Sequence, residues 1–129
     1  MSQESLETFA GYAKADQLFD LVVGDMEPLA NTPACWRLIG QQIAAGDSVC
    51  ANIEEGYGRE GTKELIHYLT IARGSCREVR GRYHRMRHWL ATDQIVKAQA
   101  ICDEVIGILT RTIPRLRHKL ATTASRKTS

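Results

Sequence analysis

Residues 63–90 read KELIHYLTIARGSCREVRGRYHRMRHWL, and this stretch decides the fold. Its apolar residues recur at alternating steps of four and three, at Leu65, Leu69, Ala72, Cys76, Val79, Tyr83, Met86 and Leu90. Side chains at such steps share one face of an α-helix, and a series this long forms a coiled-coil seam. The stretch therefore predicts one long helix that packs against other helices.

Three further amphipathic segments accompany this helix. Their apolar stripes predict helices over 11–30, 33–55 and 93–120, and the seam predicts a helix over 62–91. The links between the four segments are short, which favours antiparallel neighbours. The predicted fold class is all-α, an antiparallel up-down four-helix bundle.

Four residues predict where these helices begin, end or bend. Thr32 and Thr62 are of the type that caps helix N-termini, and Gly56 is expected to stop the second helix. Pro114 should kink or loosen the last turns of the fourth helix. We expect one bundle domain over residues 1–121 and a disordered basic tail over residues 122–129.

The composition suits a single globular domain of 129 residues with a formal net charge of +2. No stretch is long and apolar enough for a membrane helix, and the N-terminus lacks a signal-peptide pattern. The four cysteines have no CxxC spacing and fall on or beside apolar faces. We expect them to be reduced and buried in a cytoplasmic protein, with no disulfide, metal or cofactor.

The segment from Gln42 to Ser75 carries a recognisable set of motifs. Residues 52–59 read NIEEGYGR, Ser48 lies four residues earlier, and KELI and LTIARGS follow at 63–66 and 69–75. In order and spacing these motifs resemble the four-helix bundle proteins of the 23S rRNA intervening-sequence type. The strict match covers about a quarter of the chain, and the helical layout extends the similarity over nearly all of it.

This resemblance implies a bundle that assembles into a homopentamer. It also implies a distant similarity to accessory proteins of diversity-generating retroelements, which bind a reverse transcriptase and RNA. The family offers no agreed biochemical activity.

The sequence departs from the family pattern at three places. Glu54 replaces the usual alanine of Asn-Ile-Ala-Glu-Gly, and Ala44 and Ala45 replace a basic pair that often follows Gln-Ile. The run after Gly74-Ser75 is changed and unusually basic. A charge-based function of relatives can therefore have moved in this chain.

The family motif has two readings. The residues in question are Gln42, Asn52, Glu55, Gly56, Tyr57, Gly58 and Arg59. The segment 52–59 could hold an anionic or planar partner group, or it could be a helix end and tight turn. Gln42 and Asn52 lie on or beside an apolar face, where a buried amide needs partners and can fix helix register. The glycines do not form a P-loop.

The third helix also carries a basic ribbon. At 100° per residue six side chains fall within about 100° of arc and span about 25 Å. They are Arg73, Arg77, Arg80, His84, Arg87 and His88. An intersubunit or solvated surface, with Glu54, Glu55, Asp103 and Glu104 as available partners, is one interpretation. A surface for RNA or DNA phosphates is the other, because arginine grips phosphates bidentately.

Catalysis and metal binding are not expected. His84 and His88 have chelating spacing, but arginines flank them and no metalloprotease glutamate is present. No residues suggest a catalytic triad or paired carboxylates. We therefore expect a non-enzymatic, homo-oligomeric binding or scaffold protein, with RNA, DNA or another protein as its partner. Trp36 and Trp89 project away from their helices' main stripes, which favours a subunit interface.

Overall fold

The computed structural model describes residues 5–128, with the side chains of residues 5–126, and is built of helices. The α-helices are α1 (Ala10–Met26), α2 (Trp36–Gly58), α3 (Thr62–Arg85) and α4 (Thr92–Thr128). Short 3-10 helices lie at Leu6–Thr8, Glu27–Asn31, Pro33–Cys35 and Met86–His88. No strand occurs among residues 5–128, so the predicted all-α four-helix fold is confirmed.

The helices form a closed square in which sequence neighbours are also neighbours in space. α1 packs against α2 and α4, and α3 packs against α2 and α4. The pair α1–α2 therefore forms one side of the bundle and the pair α3–α4 forms the opposite side. Contacts such as Gln42 to Val79 and Arg80 to Asp103 join early and late residues of consecutive helices, as antiparallel packing requires.

The predicted seam of α3 lies in the core. All eight seam residues are buried, and Leu65, Leu69, Ala72, Cys76, Val79, Tyr83 and Met86 have no exposed surface. Opposite them lie Leu18 and Val22 of α1, Val49 and Ile53 of α2, and Leu109 and Ile113 of α4. Burial of such side chains stabilises the fold by roughly 1.5–3 kcal/mol each.

The helix ends correct three expectations. Thr62 is the first residue of α3 and not its cap, and Thr32, which occupies the N-cap position before the 3-10 helix Pro33–Cys35, makes no side-chain capping bond. Gly56 does not stop α2, which continues to Gly58. Gly56 is buried against α3, and a Cβ there would lie 3.0 Å from Leu65 Cδ1. Its missing side chain serves close helix packing.

The C-terminal segment differs from the expected disordered tail. α4 continues as helix through Thr128, while Ser129 lies outside the described residues. The hydroxyls of Thr122 and Thr123 donate to the carbonyls four residues earlier, which satisfies them inside the helix. α4 also runs through Pro114, which lacks the N–H that would bond to the carbonyl four residues earlier. Pro114 is exposed, so this carbonyl is open to water.

No helix in the part of the chain that the structure describes combines the length and apolar character needed to cross a bilayer.

Candidate nucleic-acid interface

The basic ribbon lies on the outer side of α3, next to α4. Burial of Leu69, Cys76 and Tyr83 turns the opposite side of the helix outward. Arg77, His84, Arg87 and His88 are exposed, while Arg73 and Arg80 are half-buried. Arg73, Arg77, Arg80 and His84 lie on α3, whereas Arg87 and His88 lie on the 3-10 helix Met86–His88 that follows it.

Arg80 is tied to α4. Its Nε donates to Asp103 Oδ1 at 2.7 Å, and its Nη2 donates to Asp103 Oδ2 at 3.4 Å. The bond to Asp103 raises the pKa of Arg80. Gln99 Nε2 of α4 also donates to the Arg80 carbonyl at 3.3 Å. Arg80 therefore joins α3 to α4. Asp103 is one of the four acids that the sequence offered as partners for the ribbon.

The remaining ribbon side chains have no such partner. Arg87 Nη1 donates to the His84 carbonyl at 3.0 Å, and the His88 ring meets Trp89 edge-on at 5.8 Å. Among the described residues, neither Arg73 nor Arg77 forms an ion pair. These positive charges remain available to a bound anion.

The other side of α3 carries an arginine whose environment the sequence did not reveal. Arg82 Nη1 donates to Gln42 Oε1 at 2.9 Å, and Gln42 Nε2 donates to the Val79 carbonyl at 2.9 Å. Gln42 is fully buried. Burial, and then the charge of Arg85, lower the pKa of Arg82. The motif glutamine therefore links α2 to α3, and its role is structural.

Asn52, the second motif amide, is hydrogen-bonded within α2. Its Nδ2 donates to the Ser48 carbonyl at 2.8 Å and to Ser48 Oγ at 3.0 Å. Ser48 Oγ in turn shares a hydrogen bond of 2.8 Å with Ser75 Oγ of α3. Gln42 therefore contacts α3 directly, whereas Asn52 bonds within α2 and reaches α3 only through Ser48.

The motif segment at the end of α2 packs on the start of α3. Arg59 binds the carboxylates of Glu55 and Glu64, and its guanidinium lies 5.5 Å from the centre of the Tyr68 ring. The Tyr57 ring lies 5.1 Å from the Phe9 ring. Glu55, Tyr57 and Arg59 therefore have partners within the chain, and the segment lies apart from the ribbon.

A buried polar cluster at the opposite end of the bundle was not predicted from the sequence. Tyr83 OH donates to Asp25 Oδ2 at 2.8 Å, and Gln94 Nε2 donates to Asp25 Oδ1 at 3.1 Å. Burial, and then the bond to Asp25, raise the pKa of Tyr83. The position of Tyr83 in the apolar seam could have indicated such a cluster, since a buried hydroxyl needs a hydrogen-bond partner.

The cysteines and histidines form no metal site in the described part of the chain. No group of three or more His, Cys, Asp or Glu side chains among these residues could hold a metal ion. All four cysteines are free and buried. Cys76 Sγ donates to the Cys102 carbonyl at 3.6 Å, and interaction with Cys102 followed by burial raises the pKa of Cys76.

A small open cleft of about 250 Å³ lies between the start of α1 and the later turns of α4. Its lining includes Thr8, Phe9, Ile108, Arg111, Thr112 and Arg115. No ribbon residue lines it, so the cleft is separate from the strip on α3.

Comparison with known proteins identifies a family and a fold. The family model described as 23S rRNA-intervening sequence protein matches residues 8–111. A crystal structure of a Bacteroides thetaiotaomicron protein of unknown function from the S23 ribosomal protein family superposes with a TM-score of 0.76. That protein is 19% identical, and the match covers 81% of this chain and 98% of the other. No curated protein sequence matches the chain.

Proposed function

As the chain belongs to the 23S rRNA-intervening sequence protein family, we propose that it is a non-enzymatic, self-associating helical module that binds structured RNA or DNA. The basic ribbon of α3 is the binding surface. One observation carries the proposal: Arg73 and Arg77 reach the surface on a rigid helix without an acidic partner among the described residues. Unpaired arginines in a row are suited to phosphate oxygens.

Binding through this surface reads the nucleic-acid backbone and not the bases. Trp89 is the aromatic side chain beside the ribbon, and it is half-buried with its ring against His88. Stacking platforms for successive bases are therefore not built into the strip. The expected ligand is a folded RNA or DNA whose phosphates match the strip's length and shape.

Self-association is the second part of the proposal, and a ring of five copies is the expected state. The number five comes from the family resemblance. Trp36, which is 58% exposed, supports a subunit contact because a large exposed indole is a common interface residue. The four free cysteines support a reducing compartment, and we place the protein in the cytoplasm.

A protein–protein adaptor is the competing function. In that case the arginines of the ribbon contact another subunit or a protein partner, and no nucleic acid binds. The ion pair between Arg80 and Asp103 favours this alternative in one respect, because it shows that a carboxylate fits between ribbon side chains.

A charge-reversal experiment separates these functions. The double variant Arg73→Glu/Arg77→Glu and the matched control Arg37→Glu/Lys97→Glu change the net charge equally. Arg37 and Lys97 are exposed and lie outside the ribbon. We expect only the ribbon variant to lose binding of a fluorescent RNA hairpin, by at least about 100-fold, with an unchanged helical spectrum. Equal losses in both variants, or none in either, would refute a localised nucleic-acid surface.

A further inference from the structure

The chain divides its charge between its two halves. Residues 1–58 contain nine acidic and two basic side chains, whereas residues 59–129 contain six acidic and fifteen basic ones. The first half includes α1 and α2, and the second half includes α3 and α4. Because these helix pairs form opposite sides of the bundle, a nearly neutral molecule has one acidic side and one basic side.

The acidic side is a compact surface. We define the acidic face as Asp16 and Asp20 of α1 with Asp47 and Glu54 of α2, all four of them exposed. After burial, the charges of these four carboxylates raise the pKa of the Cys50 thiol to about 12. Within the described residues no ion pair neutralises any of them, and Glu54 accepts a hydrogen bond from Tyr12 at 2.6 Å.

Both sides also carry an exposed apolar side chain on the same helix face as a charged one. Trp36 precedes Asp47 by 11 residues, which places it within about 20° of Asp47 on α2. On the basic side Val96 of α4 is 61% exposed, and it precedes Asp103 by 7 residues. A charged surface with an exposed tryptophan or valine beside it has the composition of a protein interface.

We propose that the basic ribbon of one copy binds the acidic face of a second copy, head to tail. The inference rests on the proposed function only in assuming self-association. The two surfaces differ and lie on opposite sides of the bundle, so the contact is heterologous and each added copy presents the same pair of free surfaces. Such contacts close into a ring or continue as an open filament, depending on the rotation between successive copies.

This pairing gives the ribbon two competing occupants. A nucleic-acid backbone and the carboxylates of a second copy both need the unpaired charges of Arg73 and Arg77. Polyanion binding and self-association should therefore oppose each other, and by linkage each weakens the other by the same factor.

The pairing is tested by the mass of charge-reversed variants. Asp47→Lys alters the acidic face and Arg77→Glu alters the ribbon, while Glu60→Lys and Arg37→Glu make the same changes at exposed positions outside both. We expect Asp47→Lys and Arg77→Glu each to raise the dissociation constant for self-association at least about tenfold by light scattering. The controls should assemble as the wild type does.

Mixing the two face variants tests the head-to-tail geometry. An equimolar mixture of Asp47→Lys and Arg77→Glu contains one intact acidic face and one intact ribbon, so the mixture should form a 1:1 heterodimer at concentrations where each variant alone stays monomeric. A mixture that stays monomeric, or two variants that assemble like the wild type, would overturn the pairing.

Failure of this pairing is distinguishable from failure of nucleic-acid binding. Asp47→Lys keeps the whole ribbon, so it should bind the RNA hairpin at least as tightly as the wild type. If neither the wild type nor any variant binds the hairpin, and the mixture still assembles, the nucleic-acid function is refuted and the pairing stands. If the hairpin binds without changing the assembled mass, polyanion binding and self-association do not compete.

Discussion

Arg82 and Arg77 lie on opposite sides of α3 and meet opposite surroundings. Arg82 faces α2, where it donates to the buried Gln42, and its Nε is buried without a partner among the described residues. Arg77 faces solvent and forms no ion pair in the same part of the chain. The comparison teaches that burial by the neighbouring helix, and not residue type, separates a structural arginine from one available for binding.

The two sides should also respond differently to mutation. Removing one partner of a buried hydrogen bond leaves the other desolvated and unpaired, which costs stability. Changing an exposed charge alters stability by little and alters binding instead. Substitutions on each side test this contrast, and the buried side should show the larger effects on stability.

Gln42→Ala should be the most destabilising of these substitutions. It removes the acceptor of Arg82 and leaves a gap between α2 and α3, so the free energy of unfolding should fall by about 2–4 kcal/mol. Urea denaturation followed by circular dichroism measures the change. Gln41→Ala, at the exposed neighbouring position, is the control and should change stability by under about 0.5 kcal/mol. Equal effects of the two substitutions would show that the buried link contributes nothing.

Two glycines of the motif should respond with opposite signs. A Cβ at Gly56 would lie 3.0 Å from Leu65 Cδ1 and 3.1 Å from Tyr68 Cβ, whereas a Cβ at Gly58 would meet no atom within 4 Å. Gly56→Ala should therefore destabilise the protein by about 1–3 kcal/mol through overpacking of α2 against α3. Gly58→Ala should stabilise it by about 0.5–1 kcal/mol, because alanine favours a helix. Thermal unfolding of both variants checks the signs, and a stabilised Gly56→Ala would contradict the close packing.

Much of the fold was readable from the sequence because it depends on periodicity within each helix. The seam from Leu65 to Leu90 and the links near Pro33 and Gly61 specify four helices without knowledge of their neighbours. The pairing of Gln42 with Arg82 was not readable, since it depends on which helices become adjacent. The role of Gly56 was missed for the same reason: a glycine near a helix end looks like a stop until the facing helix is known.

The candidate site was predictable only in part. Helical geometry predicted that Arg73, Arg77 and Arg80 lie on one side of α3, because angular position within a helix follows from sequence spacing. It did not predict that α3 ends at Arg85, so that Arg87 and His88 lie on the following 3-10 helix. The partner of Arg80 was named among four acids but could not be selected, since all four lie on other helices. The division of charge between the two sides of the bundle needed both the charge order along the chain and the helix arrangement.

Alkaline pH should weaken the fold through the buried thiol of Cys50. The folded pKa of Cys50 is about 12, raised by burial and then by the neighbouring carboxylates. Since an unfolded thiol has a pKa of about 8.5, the unfolded state loses its proton first, and stability falls as pH rises from about 9 towards 12. The slope from one thiol is at most about 1.4 kcal/mol per pH unit. Cys50→Ala should reduce this slope between pH 9 and 10, measured by urea denaturation, while the buried Cys76 keeps its own contribution. An unchanged slope would contradict the assignment.

The most direct test of the central claim is the salt dependence of RNA binding by the wild type, Arg77→Gln and Arg37→Gln. Hairpin affinity is measured by fluorescence anisotropy at protein concentrations below those of self-association. Removing one arginine that binds a phosphate should reduce the slope of log K against log salt by about one. The account predicts a shallower slope and weaker binding for Arg77→Gln, with Arg37→Gln matching the wild type. Identical slopes for all three proteins would contradict a phosphate-binding role of the ribbon.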